Sequence, residues 1–356
     1  MGKPTVGAAV GVVPDRRGGE GGTLVGIRTR PSAPVRTAAL LAVAAVVAGC
    51  GDGSGTPAAP PTTSVRPAGT GTAAPSAPAA RPPALCRPGR PVTLGRLRDP
   101  ALDELSGLAR SRRNPSVLFA NEDSGAAPVL TVARTDGTVL GTVSVTGAEA
   151  VDWEDIASGR GPDDRAVLFV ADIGDNAAAR SSVQVYRLAE PGPAGGATGL
   201  ATRLDLRYPD GPHDAEALLA DPLRRELVIV TKALGGGRAY TVPASVAGGD
   251  ATAGTTTLRR GPAIDLGWVT AGDVSGDGRV VALRTYTSLA VWQRQGREPL
   301  ATTLARSPTC RADVDLAGEG QGESLALDRS GRTALTAPEG AAPLLRRYGR
   351  PGTRGR

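Results

Sequence analysis

Several residue types that build common catalytic and metal sites are scarce in this 356-residue chain. There is one histidine, His213, so a zinc site made of several histidines is excluded, and a Ser-His-Asp triad would have to use this residue. The three cysteines include no Cys-x-x-Cys pair, which excludes a zinc knuckle and a thioredoxin-like redox site. The sequence also contains neither a P-loop nor a dinucleotide-binding fingerprint.

Aromatic side chains are scarce as well, since they make up 3% of the chain. Glycine and proline are abundant, at 49 and 30 residues, and this balance favours turns and short strands over long helices. Apolar residues still account for 40% of the sequence, so a chain of this length can bury a sizeable core. No helical periodicity competes with the strand patterns, and the composition therefore favours an all-β fold.

The net charge of +6 is concentrated at the two ends of the chain. Residues 1–85 carry eight basic and three acidic residues, and residues 350–356 carry three arginines. Residues 86–349 therefore hold 30 basic and 32 acidic residues, a net charge of −2. Because the folded part has no basic excess to follow a phosphate backbone, nucleic-acid binding is disfavoured.

An apolar run of eleven uncharged residues covers positions 38–48 and follows three arginines. Eleven residues are too few to span a bilayer as a helix, but they fit the apolar region of a secretory signal peptide. Residues 47–50 (VAGC) resemble a bacterial lipobox. The resemblance implies cleavage before Cys50 and attachment of diacylglycerol to its sulfur, with palmitate among the acyl chains. The alternative is an ordinary secreted protein in which Cys50 is incidental.

We therefore expect a signal peptide over residues 1–49 and a lipid anchor at the outer face of the cytoplasmic membrane. The leader is unusually long, which a start codon assigned too far upstream would explain, with the true start near Leu24 or Val35. Residues 50–84 contain Cys50 and then 34 residues of which 30 are Gly, Ala, Pro, Ser or Thr. Such a segment buries too little apolar surface to offset its ordering entropy, so it is expected to be a disordered tether. A basic disordered tail is expected over residues 350–356.

The two remaining cysteines are Cys86 and Cys310. Outside the cytoplasm two leftover thiols usually pair, so we expect a disulfide between them. The alternative is two free thiols. A disulfide would join the first segment of the folded domain to a distant part of the chain.

Five segments of the sequence resemble one another, and each begins with an acidic residue before a small or apolar strand. They are spaced by 50, 62, 57 and 50 residues, and periods of this size are typical of arrays and propellers. Each unit contains short strands separated by turns, as propeller blades of four strands do. The acids that begin the segments are Glu104, Glu154, Glu216, Asp273 and Glu323.

The sequence thus predicts an all-β propeller of four-stranded blades over residues 85–349, with five blades and six as the alternative count. The last unit, residues 323–348, has room for three strands, so a strand over residues 91–94 is expected to close the ring. Cys86 would then enter the closing blade, while Cys310 would lie late in the fourth. Strands are predicted over 106–109, 117–120, 129–133, 139–145, 167–170, 183–186, 202–206, 227–231, 239–242, 280–284 and 289–292.

Four short motifs resemble those of a family of secreted bacterial propeller proteins, mostly actinobacterial and described as WD-repeat-like. They are residues 152–157 (DWEDIA), 172–176 (DIGDN), 213–218 (HDAEAL) and 272–275 (GDVS). The resemblance covers residues 104–348 and implies a propeller outside the membrane, in a family without an established activity. The acid-rich pattern is also distantly similar to calcium-dependent propeller phytases, from which no individual residue is carried over.

The repeated acids are expected to meet the ends of the second strands at one rim of the central channel, because neighbouring strands of a blade are antiparallel. Carboxylates brought together repel one another unless a cation neutralises them, and Ca²⁺ accepts several carboxylate and carbonyl oxygens. A calcium site at the rim is therefore one hypothesis. In the alternative, Lys232 and Arg284 neutralise part of the carboxylate charge in an internal ion-pair ring. The expected strand-end residues are Asn121, Glu122, Asp123, Asp172, Asp175, Asn176, Lys232, Arg284 and Glu339.

Three functions are compatible with such a rim. The first is a binding module for a ligand, a protein or a cell-envelope partner, with structural Ca²⁺, and the second is a Ca²⁺-dependent phosphoesterase. In the third the acids serve the scaffold by accepting backbone N–H bonds at the blade starts. The sequence favours scaffold and binding over catalysis, because Lys232 and Arg284 are few cations for a polyphosphate pocket. We expect a monomer that binds no nucleic acid, with Glu154, Glu216 and Glu323 as the leading rim residues and no assigned catalytic residue.

Overall fold

The computed structural model describes residues 81–351, apart from positions 101, 124, 126, 250–253, 313 and 315. The expected signal peptide, Cys50, nearly all of the tether and most of the basic tail lie outside the described residues. The strands of the described part form five sheets, and each sheet is one blade of a β-propeller. The prediction of an all-β propeller with five blades is confirmed.

In each blade the strands run in order from the innermost, at the channel, to the outermost. Strand β1 (Val92–Arg96) precedes blade 1, which comprises β2 (Leu105–Arg110), β3 (Val117–Glu122), β4 (Val129–Arg134) and β5 (Val139–Ser144), with β9 (Gly196–Ala197) beside β5. Blade 2 comprises β6 (Trp153–Arg160), β7 (Ala166–Asp172), β8 (Val183–Ala189) and β10 (Thr202–Arg207), with β14 (Thr256–Thr257) beside β10. Blade 3 comprises β11 (Ala215–Ala220), β12 (Leu227–Thr231), β13 (Gly237–Val242) and β15 (Arg259–Ile264). Blade 4 comprises β16 (Val269–Val274), β17 (Val280–Thr285), β18 (Leu289–Gln293) and β19 (Cys310–Ala312). Blade 5 comprises β20 (Ala326–Leu327), β21 (Thr333–Thr336), β22 (Leu344–Gly349) and β1.

Blade 5 closes the ring because the two ends of the domain share it. Its outermost strand is β1, which pairs antiparallel with β22 so that Val92 lies opposite Arg347. The predicted closing strand is therefore confirmed. All five innermost strands run in the same sense along the channel, which gives the ring two distinct faces. We call the face where the innermost strands begin the start face, and the face where they end the end face.

The apolar core lies between neighbouring blades rather than in the centre of the ring. Phe119, Trp153 and Tyr186 are buried together between blades 1 and 2, while Phe169 and Tyr240 are buried between blades 2 and 3. Valine, leucine, isoleucine and alanine make up most of the rest of these layers. Burying each valine, leucine or isoleucine side chain contributes about 1.5–3 kcal/mol. The few aromatic residues are thus used where large side chains must fill the space between two twisted sheets.

Two short α-helices, α1 (Ala244–Ala247) and α2 (Leu300–Leu304), lie in connections between strands. Each begins directly after a proline, Pro243 or Pro299, and spans little more than one turn. One turn is too short to produce an apolar periodicity, which is why the sequence pattern does not reveal these helices. Among the described residues, we find no helix that combines the length and the apolar character needed to cross a bilayer.

The disulfide between Cys86 and Cys310 is confirmed, with their Cα atoms 5.7 Å apart. Cys86 lies in a single 3₁₀ turn (Ala84–Cys86), and Cys310 begins the outermost strand of blade 4. The preceding residues, Pro83 and Ala84, line a groove with Asp277 of the turn that joins β16 to β17. The described chain therefore enters the ring at the end face.

Removing this disulfide is expected to destabilise the protein by about 2–4 kcal/mol, because the bond restricts the unfolded chain between two distant positions. The measurement is denaturant unfolding of the Cys86→Ser/Cys310→Ser double variant beside the parent protein. The parent treated with a reductant serves as a control and should approach the variant. Equal unfolding midpoints for parent and variant would contradict the prediction.

A buried ion pair joins blades 3 and 4. The Arg294 guanidinium donates two hydrogen bonds to Asp221, at 2.8 Å to Oδ1 and 2.6 Å to Oδ2. Both side chains are fully buried. Asp221 follows β11 and also accepts the backbone N–H of Leu223 at 2.8 Å, so the pair fixes a turn as well as a blade contact.

Candidate functional site

A β-bulge near the beginning of each innermost strand sets the geometry of the start face. In blade 2 the register with β7 shifts between Trp153 and Asp155, which leaves one extra residue between them. Blades 1, 3 and 4 shift at the corresponding place, and blade 5 shifts between the bridge at Gly322 and the pairing of Ala326. An extra residue in one strand re-aims its side chain relative to the rest of the strand. The residues at this position are Ser106, Glu154, Glu216, Thr270 and Glu323.

This register corrects two members of the acid repeat found in the sequence. Glu104 lies two residues before the bulge of blade 1 and is exposed. Asp273 lies three residues after the bulge of blade 4, close to the end face. The structural equivalents are Ser106 and Thr270, so the start face carries three glutamates and two hydroxyl groups at this position. The comparison of the five segments matched acidic residues with one another. The position of a residue on the start face depends instead on how its strand pairs with the second strand of the blade.

Three carboxylates meet at the start of the channel. Asp123, Glu154 and Glu323 each place one oxygen so that all three oxygens lie within 4.8 Å of one another. Glu154 and Glu323 are buried at bulge positions, while Asp123 follows the end of β3. Two oxygens bound to one Ca²⁺ at 2.3–2.6 Å can be separated by up to about 5 Å, so the spacing fits a shared cation. We call these residues together with Glu216 the acid cluster.

Only one of the two carboxylate oxygens of Glu216 has a hydrogen-bond partner among the described residues. Its Oε1 accepts a hydrogen bond from the Lys232 ammonium. Its Oε2 is buried and has no hydrogen-bond partner among the described residues. A buried carboxylate oxygen without a partner is costly, and such an atom calls for an ion or a proton.

Without a cation, the electrostatics of the acid cluster favour the protonated forms of Glu154 and Glu216. Burial, and then the charges of Glu216 and Asp123, raise the pKa of Glu154 to about 11. Burial and the charge of Glu323 raise the pKa of Glu216 to about 9, although Lys232 opposes the rise. Like charges in a desolvated site disfavour ionisation, and a bound cation reverses that effect.

The open side of the cluster carries hydrogen-bonding and aromatic groups. The Tyr286 hydroxyl donates to Glu323 Oε1 at 2.9 Å. Lys232 Nζ lies 5.9 Å from the centre of the Trp268 ring and 5.6 Å from that of Tyr286. Trp268 is 45% exposed and has a φ angle of +54°, an unusual conformation for a bulky residue. Burial and a hydrogen bond to Glu323 raise the pKa of Glu339 to about 8.

Gly174 lets the loop after β7 approach the cluster. A Cβ atom at this position would lie 2.3 Å from Glu154 Oε1 and 2.4 Å from Asp152 Oδ2. Any larger residue would therefore displace one of these carboxylates. Burial raises the pKa of Asp152, and the nearby Arg180 opposes the rise. The motif at residues 172–176 thus shapes the wall of the site through its glycine.

Most of the other predicted rim residues make contacts within the scaffold, and Asn176 is exposed instead. Asp172 pairs with Arg180 at 2.8 Å, and Asp175 accepts the backbone N–H groups of Ala179 and Arg180 at 2.8 Å each. Asn121 donates to the backbone of blade 2 at Trp153, 3.3 Å away. Three further positions complete this set: Glu122 accepts the N–H of Glu104 at 2.7 Å, Asn176 is exposed, and Arg284 is buried against Glu319 at 3.2 Å.

The sequence did not predict the hydrogen bonds that join neighbouring innermost strands. Asp155 accepts the N–H of Leu218 in blade 3 at 2.8 Å, and Asp273 accepts the N–H of Leu327 in blade 5 at 2.7 Å. The inner edge of each innermost strand has no further strand to pair with, so these carboxylates satisfy N–H groups that would be left unpaired. Asp273 therefore fulfils the scaffold role expected for the repeated acids, at a different place in the blade.

Among known proteins, only solved structures resemble this chain. No family model and no curated protein matches this chain. Solved structures do match, and among them are other β-propellers. A gluconolactonase from Xanthomonas campestris is 13% identical, with 69% of this chain and 72% of that chain covered and a TM-score of 0.39. A PQQ-bound aldose sugar dehydrogenase from Streptomyces coelicolor is 10% identical, with 73% and 97% covered and a TM-score of 0.40. Likeness at this level assigns no activity to the chain.

Proposed function

We propose that the acid cluster binds a divalent cation, with Ca²⁺ as the first candidate, and that the protein is a binding module whose ligand completes the coordination of that cation. The observation that carries the proposal is the convergence of the Asp123, Glu154 and Glu323 carboxylates. The charge of Glu216 acts on Glu154, and Oε2 of Glu216 is buried without a partner among the described residues. Hard cations prefer several carboxylate oxygens of this kind. A cation at these carboxylates would neutralise the repulsion that raises the pKa values of Glu154 and Glu216.

Binding is favoured over hydrolysis of phosphate esters by the state of the nearby cations. Lys232 pairs with Glu216, Arg180 with Asp172, and Arg284 with Glu319. Each positive group is thus already committed to a carboxylate and offers little additional charge to a phosphate. Trp268, in contrast, presents an exposed ring at the side of the cluster and offers a ligand an apolar contact.

The proposal places this module outside the cytoplasm, held at the membrane by a lipid on Cys50. The disulfide between Cys86 and Cys310 supports an oxidising compartment, because such bonds persist after export. Expression of a Cys50→Ser variant tests the anchor. The variant is expected in the soluble extracellular fraction, and an unchanged membrane fraction would argue against lipidation.

Calcium titration of the full chain, after treatment with a chelator, is expected to give a saturable change in tryptophan fluorescence. Trp268 should contribute to it, because its exposed ring lies 5.9 Å from Nζ of Lys232, the partner of Glu216. A hundredfold excess of calcium over its Kd should also stabilise the fold by about 2.7 kcal/mol, since the cation binds only the folded state. The Glu154→Gln/Glu216→Gln/Glu323→Gln variant is expected to lose this response.

The matched control is Glu104→Gln, which removes an exposed acid from the same face and should leave calcium binding unchanged. Absence of binding in the parent protein would leave the acids as scaffold residues and end the proposal. Calcium-dependent turnover of p-nitrophenyl phosphate by the parent, lost in the triple variant, would replace a binding module with a phosphoesterase at the same centre.

A further inference from the structure

The end face contains a second opening, at the opposite end of the channel from the acid cluster. A cavity of about 280 Å³ lies there, bordered by the ends of innermost strands from blades 1, 2, 4 and 5. Its wall includes Arg110 at the end of β2, Arg112 in the following turn, Arg160 at the end of β6 and Arg329 after β20. Four arginines thus line one concave site.

Three of these guanidinium groups have no counter-charge in contact. Within the described residues, the side chains of Arg110, Arg112 and Arg329 form neither an ion pair nor a hydrogen bond, and Nε of Arg110 is buried without a partner. Arg160 differs, because it pairs with Asp164 at 2.7 Å. Arg110 and Arg112 are partly exposed and Arg329 is exposed, so only Nε of Arg110 is a buried donor without an acceptor. Buried donors normally find acceptors, and three arginines without a counter-charge in contact at one cavity favour an acceptor from outside the chain.

The acids of the cavity are engaged elsewhere. Asp273 accepts the N–H of Val274 and of Leu327, both at 2.7 Å. Asp328 accepts the N–H groups of Arg332 and Thr333 at 2.7 and 3.1 Å. The third acid, Asp164, is shared between Arg160 and Arg225 on the outer side.

The arginines also repel one another. Burial, and then the charge of Arg160, lower the pKa of Arg112, and the charge of Arg329 adds to the effect. Burial likewise lowers the pKa of Arg110, against the opposing charges of Asp328 and Asp273. An anion between the guanidinium groups would remove this repulsion.

We propose that this cavity binds the phosphate group of a small soluble phosphate compound. Arg110 and Arg112 belong to blade 1 and Arg329 to blade 5, so two neighbouring blades supply donors to the same cavity. A tetrahedral dianion presents oxygens in several directions, whereas a carboxylate presents two oxygens in one plane. The site lies at the other end of the ring from the acid cluster and does not depend on cation binding there.

The test is isothermal titration of the full chain with inorganic phosphate at constant ionic strength. Saturable binding is expected in the parent protein, and the Arg112→Gln/Arg329→Gln variant is expected to bind at least tenfold more weakly, because two charge-assisted contacts are lost. These two positions are chosen because Arg329 is exposed and Arg112 is partly exposed, so the substitutions should not unfold the ring. An Arg110→Lys variant, which keeps the charge and loses the forked donor, should also bind more weakly.

The matched control is Arg279→Gln/Arg332→Gln, which removes two exposed arginines from the end face outside the cavity. This variant should retain the parental affinity. An equal loss in the control would overturn the proposal, since binding would then reflect general surface charge. Lack of saturable binding in the parent, or acetate competing as well as phosphate, would overturn it too. Binding of vesicles that contain phosphatidic acid without binding of inorganic phosphate would likewise overturn the assignment to a soluble ligand.

Discussion

In the presence of a chelator, the free energy of unfolding is expected to fall as the pH rises from 4.5 toward about 9, and calcium is expected to abolish this fall. The responsible groups are Glu154 and Glu216, each 2% exposed. Their pKa values rise from 4.5 in the unfolded chain to about 11 and about 9 in the folded protein.

The sign follows from the protons bound in each state. Over this pH window the folded protein keeps protons that the unfolded chain has already released, so a rise in pH favours unfolding. The associated stability is fully present below pH 4.5 and is lost as the pH approaches the folded-state values. Each group with such a raised pKa contributes a slope of about 1.4 kcal/mol per pH unit. A bound cation holds both carboxylates ionised in the folded state, and the slope then disappears.

Urea unfolding at a series of pH values, with EDTA and with calcium, measures this effect. The Glu154→Gln/Glu216→Gln variant is the control, since its amides cannot titrate and its stability should vary less with pH. A parent protein whose stability in EDTA is independent of pH over this window would show that these carboxylates are already ionised. The hypothesis of a cluster that requires a cation would then lose its electrostatic basis.

Replacing Arg294 with methionine is expected to destabilise the fold by about 3–5 kcal/mol, because Asp221 would remain buried without its partner. The pair lies between blades 3 and 4, so its loss affects the contact between two sheets. The size of the effect comes from the orphaned charge. Equilibrium unfolding in denaturant gives the difference directly.

The exposed Asp164, which pairs with both Arg160 and Arg225, provides the comparison. An Asp164→Asn substitution there should cost less than about 1 kcal/mol, as exposed ion pairs do. The double variant Asp221→Asn/Arg294→Met should recover part of the stability, since no unpaired charge stays buried. If Arg294→Met cost no more than Asp164→Asn, the buried pair would not hold the two blades together.

The fold could be predicted because its signals are local and repeated. Strands such as residues 227–231 are short apolar runs bounded by turns, and the period of the acids indicates the blade. Ring closure followed from counting strands in the last unit, and the structure pairs β1 with β22 as that count requires. The helices α1 and α2 could not be predicted, because a helix of about one turn produces no apolar periodicity in the sequence.

The site could be predicted in part. Glu154, Glu216 and Glu323 follow from the repeat, and Asp123 from the end of a second strand. In blades 1 and 4 the repeat pointed to Glu104 and Asp273, whereas the bulge positions hold Ser106 and Thr270. A bulge is a property of strand pairing, and serine and threonine are too common in the sequence to mark one. The positions of Trp268 and Tyr286 depend on how loops of blades 3 and 4 fold back, which no short motif encodes.

The amino-terminal segment contacts the ring at the end face, so the two faces of the propeller differ in how close they lie to this segment. Pro83 and Ala84 lie beside the turn between β16 and β17, and the disulfide of Cys86 fixes this segment to blade 4. The disulfide thus fixes the point at which the amino-terminal segment meets the ring, on the same face as the arginine-lined opening. The acid cluster and Trp268 lie on the opposite face, so the first described residues do not cover them.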